Sequence, residues 1–273
     1  MDWLWVVSDW LQALAAGHEP WESYARYFPQ LMQGVWLTLQ LVVLSGIAGF
    51  ILAIPLALMR VSDRAWLWVP AYSYIFFFRG TPLLVQIFLV YYGLSQFEWL
   101  RQSGWLWNEV LSHAYWCAII TFSLHTAAYI AELFRGALQS IPKGEVEAAR
   151  ALGLSHRQQY SRILLPRAFG MILPAYGNEV ILMLKGSALA STITLLDLMG
   201  ATRNVIARTY MTLEFFLLAG VLYLLIAAVF IGLFRVLEKA YNAHQHAVRL
   251  PLNQIDPQLR DEHLRQQVKE DRP

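Results

Sequence analysis

The sequence has few charged residues and almost no cysteine. Only 15% of its 273 residues are charged, whereas 57% are hydrophobic, and the mean hydropathy is +0.41. A soluble domain carries roughly 25% charged residues, so this composition predicts a membrane protein. The single cysteine, Cys117, lies in an apolar run, which excludes a disulfide framework and a cysteine-based metal site. The first twenty residues lack the basic region of a cleaved signal peptide, and we expect them to belong to the mature chain.

Several enzyme motifs are also absent from the sequence. It contains no GxxxxGK[ST] phosphate-binding loop, so we do not expect the chain to bind ATP in that manner. It contains neither GxSxG nor HExxH, which argues against a membrane-embedded hydrolase. We therefore expect a chain with no enzymatic activity, no metal or cofactor of its own and no nucleic-acid partner.

Five apolar stretches are long enough to cross a bilayer, which takes about 20 residues as a helix. They predict membrane spans at residues 31–59, 66–94, 115–138, 166–192 and 215–234. The predicted fold class is an all-α membrane protein. Its transmembrane domain covers residues 31–237, between an interfacial segment at 1–30 and a polar cytoplasmic tail at 238–273.

The distribution of basic residues predicts the orientation of the chain. The connection between the third and fourth spans carries Arg135, Lys143, Arg150, Arg157, Arg162 and Arg167. Basic side chains accumulate on the cytoplasmic side of a membrane, so five spans place the N-terminus in the periplasm and the C-terminus in the cytoplasm. Arg203 and Arg208 are exceptions, because this arrangement places them on the periplasmic side. Tryptophans, which favour the headgroup layer, mark the outer segments at Trp3, Trp5, Trp10, Trp21, Trp99, Trp105 and Trp107.

The segment EVEAARALGLSHRQQYSRILLP, residues 145–166, is polar although apolar runs flank it. Apolar residues recur at helical spacing on both sides of Gly153, which predicts two short helices joined by a turn. On this pattern alone the segment could be a solvated connection between two spans. Its spacing is more specific, with fixed positions at Glu147, Ala148, Ala149, Gly153, Ile163, Leu165 and Pro166.

These positions resemble the EAA loop of ABC importer membrane subunits, whose pattern is EAA, three residues, G, nine residues, I, one residue, LP. Three further stretches resemble the polar amino acid permease family, and within it the M-type subunits of histidine/lysine/arginine/ornithine importers. They are FRGTPLLVQIFLVYYGL at 78–94, AYIAELFRGALQSIPKGEVEAARALG at 128–153 and LPAYGNEVILMLKGSALAS at 173–191. The likeness covers roughly residues 30–240. It departs at 185–189, where related subunits commonly have KDTSL or KSTAL, and at His125.

The resemblance implies a type I ABC importer transmembrane domain with about five helices. It implies that the loop at 139–166 is a coupling helix held by a cytoplasmic ABC ATPase homodimer, which binds the ATP and Mg²⁺. A paralogous permease subunit, or a second copy of this chain, and a periplasmic amino-acid-binding protein would complete the transporter. The implied cargo is a basic amino acid, such as arginine, ornithine, lysine or histidine, and the implied location is the bacterial inner membrane.

Glu179 is an acidic residue in the fourth span, about 18 Å along the helix from Arg167. A carboxylate in a cavity of low dielectric would attract a guanidinium, an ammonium or an imidazolium strongly. We therefore predict substrate contacts by Glu179 and by its neighbours Tyr176 and Asn178. The structural alternative is an ion pair with Lys185 or with the partner subunit.

The stretch FRGTP, residues 78–82, interrupts the second span. Pro82 has no backbone N–H, so it predicts a break that frees carbonyls of the preceding turn. Broken helices at membrane depth are tolerated where they line a cavity, and we predict Thr81 and Gln86 as substrate contacts there. A kink needed only for packing is the alternative, and Arg79 could bind the other subunit or a lipid phosphate.

Three polar residues of the third span have other predicted roles. Glu132 and Arg135 have the i, i+3 spacing of an intrahelical ion pair, and we interpret them as a structural pair. His125 lies about two turns before Glu132, and a lone histidine in a helix bundle is usually only hydrogen-bonded. A proton relay or a metal pair with Glu132 is the alternative, although two ligands without a third make a poor metal site. An ion-coupled carrier that uses His125, Glu132 and Glu179 is accordingly the second functional hypothesis.

Overall fold

A computed structural model describes residues 3–15, 17 and 20–246, and most of the polar tail predicted at 238–273 lies outside these residues. The described part is helical, as predicted, and contains eleven α-helices joined by short segments of π-helix, 3₁₀-helix and turn. They are α1 (Trp3–Ala15), α2 (Trp21–Arg60), α3 (Ala65–Gly80), α4 (Leu83–Phe88), α5 (Glu98–Arg101), α6 (Ala114–Ser140), α7 (Lys143–Ala151), α8 (His156–Gln159), α9 (Leu165–Gly186), α10 (Leu198–Thr209) and α11 (Thr212–His246).

Three of the described helices, α2, α6 and α11, are each long and apolar enough to cross a membrane. Two bent pairs raise the number to five if each counts as one span. The first joins α3 to residues 83–96 with a bend of 107°, and the second joins residues 156–193 to α10 with a bend of 52°. By length and composition, the structure therefore accommodates the five predicted spans.

Helix α2 begins at Trp21, ten residues before the predicted start of the first span. Pro29 lies inside this extension and cannot donate a hydrogen bond to the carbonyl of Ala25 four residues earlier. The hydroxyl of Ser8, from α1, donates to that carbonyl at 2.7 Å. The short helix α1 thus stabilises the extension by satisfying the backbone group that the proline leaves free.

Helix α1 also explains part of the tryptophan pattern. Leu4 and Ser8 are buried, whereas Trp3, Trp5 and Trp10 are each more than half exposed. One face of α1 therefore packs on the chain and the other presents indole rings outward. This arrangement suits a helix that lies in the headgroup layer of a membrane.

The longest helices pack around α6 and α9. Helix α2 runs along α6 in the most extensive helix pair, and α9 contacts α2, α6 and α11. A Cβ atom on Gly49 would lie 2.9 Å from the Cβ of Thr126, and one on Gly177 would lie 2.9 Å from the ring of Phe234. Small residues at these crossings let the backbones approach closely, as in other membrane helix bundles. The close packing fixes α9, which carries Glu179, among the other spans.

Candidate functional site

The predicted break in the second span is present at Thr81 and Pro82. Both residues have extended backbone conformations, and the chain turns by 107° between α3 and the helix that follows. Pro82 cannot donate to the carbonyl of Phe78, four residues before it. The side-chain amide of Gln86 donates to that carbonyl instead, at 2.8 Å. Gln86 therefore replaces the backbone hydrogen bond that the proline removes.

The amide of Gln86 is fully engaged within the protein. Its Nε2 also donates to the carbonyl oxygen and to the Oγ1 of Thr81, at 3.0 and 2.8 Å, and its Oε1 lies 3.0 Å from Nδ1 of His125. Because Oε1 can only accept, we assign the proton of this contact to Nδ1. Gln86 is 2% exposed. Thr81 and Gln86, both predicted as substrate contacts, lie against each other here, and their polar atoms hold the break in shape.

His125 connects the break to the third span. Its Nδ1 donates to Oε1 of Gln86, and the centre of its ring lies 4.8 Å from that of Tyr129, one turn later on α6. The link between Gln86 and His125 spans 39 residues of sequence, and no local pattern predicts it. In this structure His125 is a hydrogen-bonded support of the broken helix.

Glu179 lies on α9 and is only 8% exposed. Within the part of the chain that the structure describes, no basic group lies at ion-pair distance from its carboxylate. The alternative partner Lys185 is exposed, whereas the guanidinium of Arg79, at the end of α3, lies within electrostatic range of Glu179. Glu179 is therefore a buried acid beside the break, without an intrachain salt bridge among these residues.

The neighbours of Glu179 differ in their surroundings. The hydroxyl of Tyr176 donates to the carbonyl of Gly46 on α2 at 3.2 Å, and its ring packs against Phe50 and Phe234. Asn178 is exposed on another side of α9. Of the three residues predicted on this helix, Glu179 alone combines burial with an unpaired charge in the described chain.

The ion pair predicted on the third span is formed. Nε and Nη2 of Arg135 both donate to Oε1 of Glu132, at 2.8 and 2.6 Å. The guanidinium of Arg79 stacks on Tyr129, 5.2 Å from its ring centre, and lies within electrostatic range of Glu132 as well. A line of polar groups thus follows one face of α6 from His125 towards its C-terminal end.

The polar loop has the predicted turn at Gly153. Helix α7 ends in a Schellman motif, in which Leu154 N–H donates to Ala149 O and Gly153 N–H donates to Arg150 O. Gly153 has a φ of +75°, which favours glycine. Glu147 and Ala148 are exposed, and Ala149 is buried. Leu152, which the sequence marked only as part of a helical pattern, is 80% exposed at the tip.

The second half of the loop differs from the predicted separate helix. A capping box of Ser155 and Gln158 starts α8, which then continues through a π-helical turn at Tyr160–Leu164 directly into α9. Ile163 lies half-buried in this turn, and Pro166 follows it at the start of α9. A π-helical turn changes the hydrogen-bond pattern of the preceding backbone, so it accommodates Pro166 without ending the helix. The loop is therefore continuous with the span that carries Glu179.

Two contacts fix the base of the loop. Arg167 forms an ion pair with Glu145 at 3.0 Å, which closes the loop on itself. The hydroxyl of Tyr241, near the end of α11, donates to the carbonyl of Pro166, and its ring packs edge-on against Phe169. The C-terminal helix therefore holds the point at which the loop enters the membrane domain.

The sequence is similar to those of transport permeases along most of its length. It is 47% identical over 229 residues to the octopine transport system permease protein OccM of Rhizobium radiobacter, covering 84% of this chain and 93% of that protein. It is 41% identical over 227 residues to the histidine/lysine/arginine/ornithine transport system permease protein HisM of Escherichia coli strain K12, covering 83% of this chain and 95% of that protein. The chain is accordingly a transport subunit and not an enzyme.

The structure is similar to that of a solved transporter. A crystal structure of an amino acid ABC transporter with histidines matches with a TM-score of 0.70 and 32% sequence identity, covering 80% of this chain and 97% of that chain. The predicted fold of a type I ABC importer transmembrane domain is thereby confirmed. A family model for the binding-protein-dependent transport system inner membrane component matches residues 45–242, and the chain belongs to that family.

Proposed function

We propose that this permease subunit conducts amino acids with a cationic side chain, either basic amino acids or opines derived from them. The observation that carries the proposal is Glu179, a buried acid with no ion-pair partner among the described residues. A charged group in a membrane segment costs at least about 2.5 kcal/mol by insertion scales, unless a partner compensates it. A guanidinium, ammonium or imidazolium of the cargo would be that partner.

The printed names of the relatives agree with this class of cargo. Octopine contains a guanidinium group, and histidine, lysine, arginine and ornithine each have a side chain that can carry a positive charge. We propose that Thr81, Tyr176 and Asn178 also line the path of the cargo. Gln86 is proposed to act on the cargo through Thr81, because its own amide is occupied by the break.

We propose that residues 145–166 are the segment that a separate ATPase grips. Three exposed residues of the loop would contact the ATPase. Glu147 provides a charge, the small side chain of Ala148 lets the partner approach closely, and Leu152 provides an apolar contact at the tip. ATP and Mg²⁺ would be bound by an ATPase homodimer, and the pathway would form between this chain and a paralogous permease or a second copy. A periplasmic binding protein would deliver the cargo, with the N-terminus of this chain on the periplasmic side.

The continuous helix from the loop into α9 suggests how motion reaches the cargo. Closure of the ATPase dimer on ATP would move the loop, and α9 would follow because α8 runs into α9 without a break and the ion pair of Glu145 with Arg167 ties α7 to the start of α9. Glu179 lies on that helix. In this mechanism the continuous segment of α8 and α9 carries the motion of the gripped loop to the residue that holds the cargo.

Uptake by the complete transporter in proteoliposomes tests the proposal. Glu179→Gln is expected to raise the KM for arginine or histidine much more than the KM for any neutral amino acid that is carried. Glu109→Gln, at an exposed position outside the site, is the matched control. Equal effects on cationic and neutral cargo would remove Glu179 from the site, and uptake driven by a proton gradient without ATP would favour the ion-coupled carrier.

A further inference from the structure

A cavity of about 270 Å³ lies between the end of α2, the second half of α3 and the middle of α6. Three charged side chains, Arg60, Arg79 and Glu132, contribute to its lining, together with the rings of Tyr72 and Phe76. No sequence pattern places Arg60 beside Glu132, because 72 positions separate them and no motif relates them. Neither Glu179 nor Thr81, the cargo contacts proposed above, lines this cavity.

The charges that line the cavity are unbalanced. Glu132 is already neutralised by Arg135, which donates two hydrogen bonds to its Oε1. Arg60 stacks 4.9 Å from the ring centre of Tyr72, and Arg79 stacks 5.2 Å from that of Tyr129. In the described ranges neither guanidinium has a carboxylate at ion-pair distance. Because Arg135 neutralises Glu132 from outside the lining, the two lining arginines, Arg60 and Arg79, are left without a paired carboxylate among the described residues.

Arg60 has a further unsatisfied group. Its Nε is buried and has no hydrogen-bond acceptor among the residues that the structure describes. A buried donor without an acceptor costs about 1 to 3 kcal/mol, more for a charged group. The guanidinium of Arg60 thus has hydrogen-bonding capacity that the described residues do not use, and Arg60 lines the cavity.

Arg79 connects the cavity with the broken helix. It is the penultimate residue of α3, it immediately precedes the Gly80–Thr81 turn, and it lies within electrostatic range of Glu179. An unpaired cation within a membrane segment marks a functional site by default. The planar fork of a guanidinium matches a carboxylate in two parallel hydrogen bonds, which a lysine cannot form.

We propose that this cavity is an oxyanion subsite, in which Arg79 binds the α-carboxylate of the cargo and Arg60 binds a second carboxylate when the cargo has one. The inference rests on the proposed function, since Glu179 then holds the cationic end of the same molecule. Ordinary basic amino acids would use Arg79 alone. An arginine derivative with two carboxylates, such as octopine, would use both arginines.

Binding of two matched probes to the complete transporter in nanodiscs, without the binding protein, tests the first half of the inference. Arginine and agmatine share a guanidinium and an amine, but agmatine has no carboxylate. Arginine should bind the unaltered transporter roughly 10- to 100-fold more tightly than agmatine, as expected for a charge-assisted hydrogen bond. Arg79→Gln should remove this preference and leave agmatine binding unchanged, which also shows that the variant is folded. Arg79→Lys should restore part of the preference for arginine. Arg101→Gln, a change at an exposed position, should leave the preference unaltered.

Binding of octopine to the same transporter tests the second half of the inference, the binding of a second carboxylate by Arg60. Arg60→Gln should weaken octopine binding by roughly tenfold or more and leave arginine binding within about twofold of the unaltered value. An equal loss for both probes, or none for octopine, would overturn the assignment of Arg60. An Arg79→Gln transporter that still prefers arginine to agmatine would overturn the subsite.

Two further arms separate the possible explanations. Glu179→Gln should weaken the binding of arginine and of agmatine equally. If it changes the binding of neither probe while Arg79→Gln abolishes the preference for arginine, the proposed role of Glu179 fails and the oxyanion subsite stands. A lipid phosphate has the same chemistry as a carboxylate. If the arginine preference disappears when phosphatidylglycerol replaces phosphatidylcholine in the nanodisc, the arginines serve the lipid and the inference is wrong.

Discussion

Replacing Gln86 with methionine should destabilise the broken second span, because the amide holds three partners at once. It donates to Phe78 O and to Thr81 Oγ1, both at 2.8 Å, and accepts from His125 at 3.0 Å. Side-chain hydrogen bonds in membrane proteins contribute about 0.6 kcal/mol on average and up to about 1.7 kcal/mol each. Three of them give a loss of about 2 to 5 kcal/mol. Methionine preserves the volume of the side chain, so the loss reports the hydrogen bonds and not a cavity.

The assay is thermal unfolding of the complete transporter in detergent, followed by uptake in proteoliposomes. Gln96→Met is the matched control, because Gln96 is exposed and its hydrogen bonds are long, at 3.4 Å. The melting temperature should fall for Gln86→Met and stay unchanged for Gln96→Met, and uptake should fall with it. If Gln86→Met and Gln96→Met have the same melting temperature, the hydrogen bond from Gln86 to the carbonyl freed by Pro82 does not stabilise the break, and the account of the break is wrong.

Two other substitutions test the loop. Gly153→Val should abolish cargo-stimulated ATP hydrolysis while the protein stays in the membrane, because a φ of +75° costs a branched residue about 1 to 2 kcal/mol. The cost is conformational, since apart from its chain neighbours no described residue lies within 4 Å of the added Cβ. Gly144→Val, an equally open position without a positive φ, should retain most activity, and equal loss in both would contradict the argument. Tyr241→Phe keeps the ring contact with Phe169 but loses the hydrogen bond to Pro166, so the ratio of ATP hydrolysed to amino acid transported should rise; an unchanged ratio would exclude α11 from coupling.

Local sequence patterns predicted much of this fold. The apolar stretches, the break at Pro82 and the turn at Gly153 each depend on a few neighbouring residues, and the structure contains all three. The i, i+3 spacing of Glu132 and Arg135 likewise predicted their ion pair. These features follow from backbone chemistry and helical periodicity, which a single sequence displays.

Contacts between distant segments were not predictable in the same way. Ser8 reaches the carbonyl freed by Pro29, and Gln86 meets His125 across two helices, because of how the helices pack. The continuity of α8 with α9 was also missed, since Pro166 normally indicates a helix boundary and the π-helical turn before it has no clear sequence signal. Arg60 lines the proposed oxyanion subsite only because α2 and α3 fold back on each other.

Site-directed cross-linking at the tip of the loop is the most direct test of the claim that residues 145–166 engage the ATPase. Leu152 is 80% exposed, and the native Cys117 is buried, so Leu152→Cys supplies an accessible thiol at the tip. The variant should form a cross-link to the ATPase subunit in membranes, with a yield that changes when ATP is added. A thiol that instead reacts with a membrane-impermeant maleimide supplied from the periplasmic side, with no cross-link to the ATPase, would contradict the account.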